Sequence, residues 1–238
     1  MKVIGLLGGM SWESSQIYYK AINEGIKQQL GGLHSAKLIM YSIDFAELEV
    51  LQHARNWKAA SELLIDAAKR VEKAGADFLV VGTNTMHIVA EQVANAIDIP
   101  LIHIADAVGE EIAKQDLDKV ALLGTEFTMT EAFYRVRLQE NFGLDVITPS
   151  KDERRVIHDV IYNELCKGVV SSSSRQAYLN IIEQLSKQGA QGIILGCTEI
   201  GLLVQQNHSP LPLFDTVQLH ADKAVQYALS TESLDVLL

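Results

Sequence analysis

One stretch of this chain occurs twice. Residues 66–85, DAAKRVEKAGADFLVVGTNT, align without a gap on residues 180–199, NIIEQLSKQGAQGIILGCTE. The offset of 114 residues sets Gly75 on Gly189, Ala76 on Ala190, Gly82 on Gly196 and Thr83 on Cys197. Two further matches flank this one in the same order. KVIGLLGGM at the start resembles KVALLGT at 119–125 after one gap, and each is followed by a helical stretch with a tyrosine, Tyr18 or Tyr134. PLIHI at 100–104 resembles PLFDT at 212–216. Any two strand–helix units share a pattern such as Lys-Val-x-Leu, but three matches in one order at nearly constant spacing mark a duplicated unit.

The local patterns say what that unit is. Short apolar runs at 3–7, 36–41, 78–81, 101–104, 120–123, 145–148 and 192–195 alternate with helical periodicity at 14–30, 57–73, 107–114, 131–142, 154–168 and 175–188. Several runs are apolar at consecutive positions, as expected when both faces of a strand are covered. The expected fold is therefore α/β, two pseudo-symmetric lobes, each a parallel sheet flanked by helices. The first lobe is expected from residues 1–112 plus 208–238 and the second from 113–207. The serine tetrad 171–174 reads as a loop and helix N-cap and not as a domain joint.

Composition removes several function classes. A net charge of −10 with no basic run argues against a nucleic-acid partner, because phosphate binding needs clustered Lys and Arg. No apolar stretch approaches the ~20 residues of a membrane span. The first residues read as a buried strand and not a signal peptide, and a soluble cytoplasmic protein is expected. Two cysteines, Cys166 and Cys197, do not make a disulfide scaffold. The seven histidines show no metal-ligand spacing: His87 and His103 stand isolated and His220 has no partner nearby in sequence. No metal is expected. Gly8-Gly9 lacks the G-x-G-x-x-G arrangement of a nucleotide site.

Ligands of such sheets bind near the carboxyl ends of the strands. The residues after Val81 and Leu195 then sit at equivalent mouths. If the lobes face each other, Thr83 and Cys197 approach one ligand from opposite sides. Opposed acid and base groups flanking one carbon are what stereoinversion requires. A thiol suits the work, because its pKa lies near 8.5 and a strand-to-helix turn favours the thiolate. A lone cysteine after a strand is more often a small buried residue; the partner position in the repeat points the other way.

GTNTMH at 82–87 and LGCTEIG at 195–201 resemble the two active-site motifs of the aspartate/glutamate racemase family, and GLLGGMSWES at 5–14 resembles its N-terminal signature. The similarity extends over essentially the whole chain. The resemblance implies cofactor-independent racemisation of a small acidic amino acid, two cysteines as paired bases, and a homodimer. This chain departs at the first motif, where Thr83 stands in place of the usual cysteine. A branch of the family that resembles this chain shares the threonine. A threonine hydroxyl is too weak an acid to stand as alkoxide at neutral pH, but it donates or relays a proton. The expectation is an asymmetric reaction, with Cys197 thiolate as the competent base and Thr83 protonating the other face.

By the same resemblance Asn84, Thr85 and Thr198 hold the substrate carboxylate, Met10 lines the pocket through its backbone, and Gln52 falls in a substrate-contacting region. Glu199 positions water or the amino group. Aspartate racemases place a substrate-binding lysine where Cys166 falls, and Lys167 one position later is the candidate to replace it. Simpler roles compete: helix capping for Thr85, a solvated face for Gln52 and Lys167, core packing for Met10. His87, after the first motif, is a further candidate for the site. Two other functions fit the same residues, a single-thiol decarboxylase or isomerase of a small dicarboxylic acid, and an inactive dicarboxylate-binding protein.

Overall fold

The glycines matched across the repeat mark places where the backbone conformation or a close neighbour excludes a side chain. In the computed structural model, which describes residues 1–231, Gly75 and Gly189 have φ of +101° and +92°. They stop the helices Trp57–Lys73 and Ser172–Lys187. Only glycine takes that conformation without strain. Each closes the same way, with its N–H on the carbonyl three residues back, Glu72 or Ser186, at 2.9 Å. Gly82 and Gly196 are fixed by close approach instead. A Cβ on either would lie 3.0 Å from the Leu7 carbonyl oxygen or 2.8 Å from that of Leu123.

The helices that end before Gly75 and Gly189 bury matching positions. Trp57–Lys73 buries Ala60, Leu64, Ala67, Ala68 and Val71. Ser172–Lys187 buries Ser174, Tyr178, Ile181, Ile182 and Leu185, the same positions one repeat later. That spacing is one apolar stripe of an amphipathic helix. Each fully buried Leu, Ile or Val side chain among them contributes about 1.5–3 kcal/mol by leaving water.

The stripes rest on two four-stranded, all-parallel sheets. β1 (Ile4–Gly8), β2 (Leu38–Ser42), β3 (Phe78–Val81) and β4 (Leu101–Ile102) are ordered β2-β1-β3-β4. β5 (Lys119–Gly124), β6 (Asp145–Ile147), β7 (Gly192–Gly196) and β8 (Leu213–Asp215) are ordered β6-β5-β7-β8. The register repeats as well: Ile4 lies opposite Leu38 and Phe78, and Val120 opposite Val146 and Gly192. β1, β3 and β7 are buried throughout. Helices cover both faces, which is why these strands read as unbroken apolar runs.

Several expected elements change. The helix expected over 154–168 starts earlier, at Lys151, because Ser150 and Glu153 form a capping box. It stops at Asn163, and a separate turn, Leu165–Lys167, ends on Gly168 at φ +73°. The expected strand at 101–104 is two residues long, since a helix, Ile104–Ala113, begins there. PLFDT contains a strand, β8, that the apolar pattern alone does not mark. Helices Phe45–His53 and Thr216–Leu229 are also additional. Ser171 is the N-cap of its helix, accepting from the Ser174 N–H. No helix among the described residues is long and apolar enough to cross a membrane.

The chain divides into two compact units, Met1–Ile104 with the segment from His220 onward, and Ala105–Leu219. The divisions fall at 104/105 and 219/220, whereas the repeat pattern placed them at 112/113 and 207/208. Specific bonds account for the difference. In the second unit Asp106, on the Ile104–Ala113 helix, takes a bidentate ion pair from Arg137, both contacts at 2.6 Å. In the first unit His220, on the Thr216–Leu229 helix, bonds to Tyr18 and to the Ile102 carbonyl, each at 2.9 Å.

Candidate active site

In the first unit the chain leaves β3 through Gly82, whose N–H donates to the Leu7 carbonyl at 2.8 Å. Thr83 follows, half-buried, with its N–H on the Val81 carbonyl at 2.9 Å. Asn84 and Thr85 are buried. Asn84 precedes the short 3-10 turn Thr85–Val89 but makes no side-chain cap bond to it, and Thr85 lies within the turn. Capping therefore does not explain either residue.

In the second unit β7 ends in Gly196 and Cys197 follows, half-buried, then Thr198 and Glu199, both buried. The Cys197 thiol donates to Glu199 Oε2 at 3.0 Å. Cys166, on the Leu165–Lys167 turn, donates to the other carboxylate oxygen at 3.9 Å. One carboxylate is thus bracketed by both thiols of the protein. Burial pushes the Cys197 thiol well above its ordinary pKa, and the charges of Glu199 and Cys166 push it further. The strand-to-helix turn was expected to favour a thiolate; its surroundings favour the thiol, because ionising sulfur beside Glu199 would bury two like charges. Tyr178 packs in the same apolar cluster and donates to the Ile157 carbonyl at 3.0 Å.

The other expected contacts separate into two groups. Gln52 is 2% exposed, not on a solvated face, and its amide donates to Met86 Sδ at 3.1 Å. The Phe45–His53 helix therefore brings Gln52 onto the turn that follows Thr83. The Met10 side chain is buried in the first unit's core, beside Leu7 and Met86 in one cluster, leaving only its main chain for a ligand. Lys167 is exposed.

The histidines do not stand isolated. His87 meets His103 edge-on at 4.6 Å between ring centroids and His220 at 5.7 Å. Burial lowers the pKa of His220 to about 4. The three histidines come from separate segments, so spacing gave no sign of the cluster; the place of His87 after the first motif and the recurrence of Tyr18 at Tyr134 were the hints that the region mattered. No group of three or more His, Cys, Asp or Glu among the described residues has the arrangement of a metal site.

Comparison with known proteins follows the same lines. The model of the Asp/Glu/hydantoin racemase family matches residues 7–224. The chain is 26% identical over 240 residues to the broad specificity amino-acid racemase RacX of Bacillus subtilis, covering 97% of this chain and 100% of that protein. Its structure resembles that of a candidate Asp/Glu racemase from Yersinia pestis, with TM-score 0.91 and 52% identity over 97% of this chain and 100% of that one. It also resembles an aspartate racemase homologue from Pyrococcus horikoshii, with TM-score 0.85 and 35% identity over 97% and 100% of the two chains.

Proposed function

The chain belongs to the Asp/Glu/hydantoin racemase family, and on that premise we propose that it racemises aspartate or glutamate without a cofactor, Cys197 and Thr83 exchanging protons with opposite faces of the Cα. The supporting observation is the contact between the Cys197 thiol and the Glu199 carboxylate. The pair carries one negative charge. Moving the proton from sulfur to Glu199 produces a thiolate and a carboxylic acid, so sulfur becomes a base without a second buried charge.

The thiolate takes the Cα proton, and the C–H electron pair stays on carbon. The Thr83 hydroxyl delivers a proton to the opposite face; its alkoxide recovers one from water while Glu199 releases one. In reverse, Thr83 must start as an alkoxide, a far scarcer species. The two enantiomers are equal in free energy, so kcat/KM is the same in both directions. The asymmetry falls on kcat and KM separately.

Asn84, Thr85 and Thr198 hold the α-carboxylate with side-chain and main-chain donors, joined by the Met10 main chain and Gln52. Lys167 takes the distal carboxylate. A wider substrate range is a second reading, favoured by the exposure of Lys167 and by the name of the Bacillus relative. The family resemblance also implies a homodimer, which light scattering after size-exclusion chromatography reads directly.

Single enantiomers of aspartate, glutamate and a panel of neutral and basic amino acids, followed in heavy water, test the reading. Deuterium enters the Cα and the opposite enantiomer appears; an absence of exchange with every amino acid sinks it. Glu199→Gln tests the shared proton. Its Cys197 thiolate, followed by ultraviolet absorbance, appears at lower pH than in the parent, while racemisation falls about 10²-fold for want of the proton acceptor. An unchanged thiolate titration contradicts the mechanism.

A further inference from the structure

We propose that His87 is the positioning residue for Thr83, holding the proton donor of the first unit in place without touching substrate. The proposal rests on the role given to Thr83 above.

His87 is almost wholly buried, on the turn that follows Thr83. Its Nδ1 lies 2.8 Å from the Thr83 carbonyl oxygen, and its Nε2 lies 3.2 Å from the main-chain nitrogen of Ile104. A main-chain N–H only donates, so Nε2 carries the lone pair; the proton sits on Nδ1 and goes to Thr83. Both partners thus set one neutral tautomer. Through it the ring ties the main chain at the end of β3 to the first residue of the Ile104–Ala113 helix.

The ring itself is held from behind. His103 and His220 pack edge-on against it. His220 donates from Nε2 to the Ile102 carbonyl, which only accepts, and its Nδ1 therefore accepts from the Tyr18 hydroxyl. Tyr18, His220 and His87 pack around residues 102–104, and a main-chain partner sets the neutral tautomer of His87 and of His220. A threonine hydroxyl has no charge to steer it toward a carbanion, so its delivery depends on a main chain that does not move. The matched position in the second unit has no such ring: residue 201, one repeat after His87, is Gly201, and Cys197 has the Glu199 carboxylate instead.

The test separates this role from general support of the fold. Starting from the enantiomer whose Cα proton faces Cys197, deuterium enters either with retention, returned by Cys197, or with inversion, delivered from the Thr83 side. His87→Leu lowers the ratio of inversion to retention by about tenfold or more. His87→Asn, whose amide N–H replaces the Nδ1 donor, keeps the ratio near the parent value. Thermal unfolding of both variants reports any loss of fold. A parallel fall of both exchanges in His87→Leu, at constant ratio, overturns the proposal. So does an Nε2-protonated His87 in the ¹⁵N spectrum of the parent enzyme, a measurement independent of turnover. Absence of any exchange in the parent overturns instead the racemase reading, and this role with it.

Discussion

The ends of β3 and β7 are the same place built twice, and they are chemically opposite. Both follow a buried strand, a glycine packed on a neighbouring carbonyl, and a helix striped at matching positions. At β3 the next residue is a hydroxyl backed by a histidine cluster; at β7 it is a thiol on a carboxylate. Duplication supplies two equivalent mouths, while the side chains at each mouth are free to diverge, because none of them holds the sheet together. The helices at the two chain crossings differ in the same way. One is held by uncharged Tyr18 and His220, the other by the Asp106–Arg137 ion pair.

The largest effect that would break this comparison belongs to the thiol. Cys197→Ala is expected to lower racemisation by about 10²–10⁴-fold, as loss of an acid–base group does. Thr83→Ala should abolish inversion while leaving exchange with retention at Cys197. Chiral chromatography with deuterium counting distinguishes them; equal behaviour of the two variants would erase the distinction between the mouths.

Acid comes next. His220 has a folded pKa of about 4, below its unfolded value near 6.5. Its contribution is fully present above pH 6.5 and is lost as pH falls toward 4, amounting to about 3 kcal/mol. Urea unfolding at pH 7 and pH 4.5 should show a steeper decline in the parent than in His220→Gln. Equal slopes would mean that the histidine stack tolerates charge.

Asp106→Ala should cost about 2 kcal/mol, below the usual figure for a fully buried pair because the Arg137 side chain is 38% exposed. The loss is read from the urea midpoint, with substrate exchange retained. The smallest effect sharpens the chemistry: Thr83→Cys should raise kcat by about tenfold in the slower direction and bring the two kcat values together. A ratio of kcat values untouched by that change would remove the special role of Thr83.

The fold was legible to the extent that burial leaves a pattern. β1, β3, β5 and β7 show as apolar runs because they are covered on both faces, and Gly75 and Gly189 recur because only glycine fits their φ. Phe45–His53 was missed because only Leu48 and Gln52 of that helix are fully buried, leaving no apolar stripe. β8 was missed because three residues with one buried carry no period. The repeat made the equivalent positions of Thr83 and Cys197, each after its strand and glycine, legible. The solvated face that competed with a substrate contact for Gln52 falls away, because polarity predicts exposure in general and fails where a buried amide has a partner.

Sequence alone determined the duplication, the parallel sheets, the family likeness and the alignment of Thr83 on Cys197 in the repeat. All are statements about order along the chain. Tertiary structure decided which form each group takes. Cys166 lies far from Cys197 in sequence yet shares its carboxylate, and Tyr18, His87, His103 and His220 come from four segments to make one cluster. Protonation follows from desolvation and from charges a few ångströms away, and those distances exist only once the chain has folded.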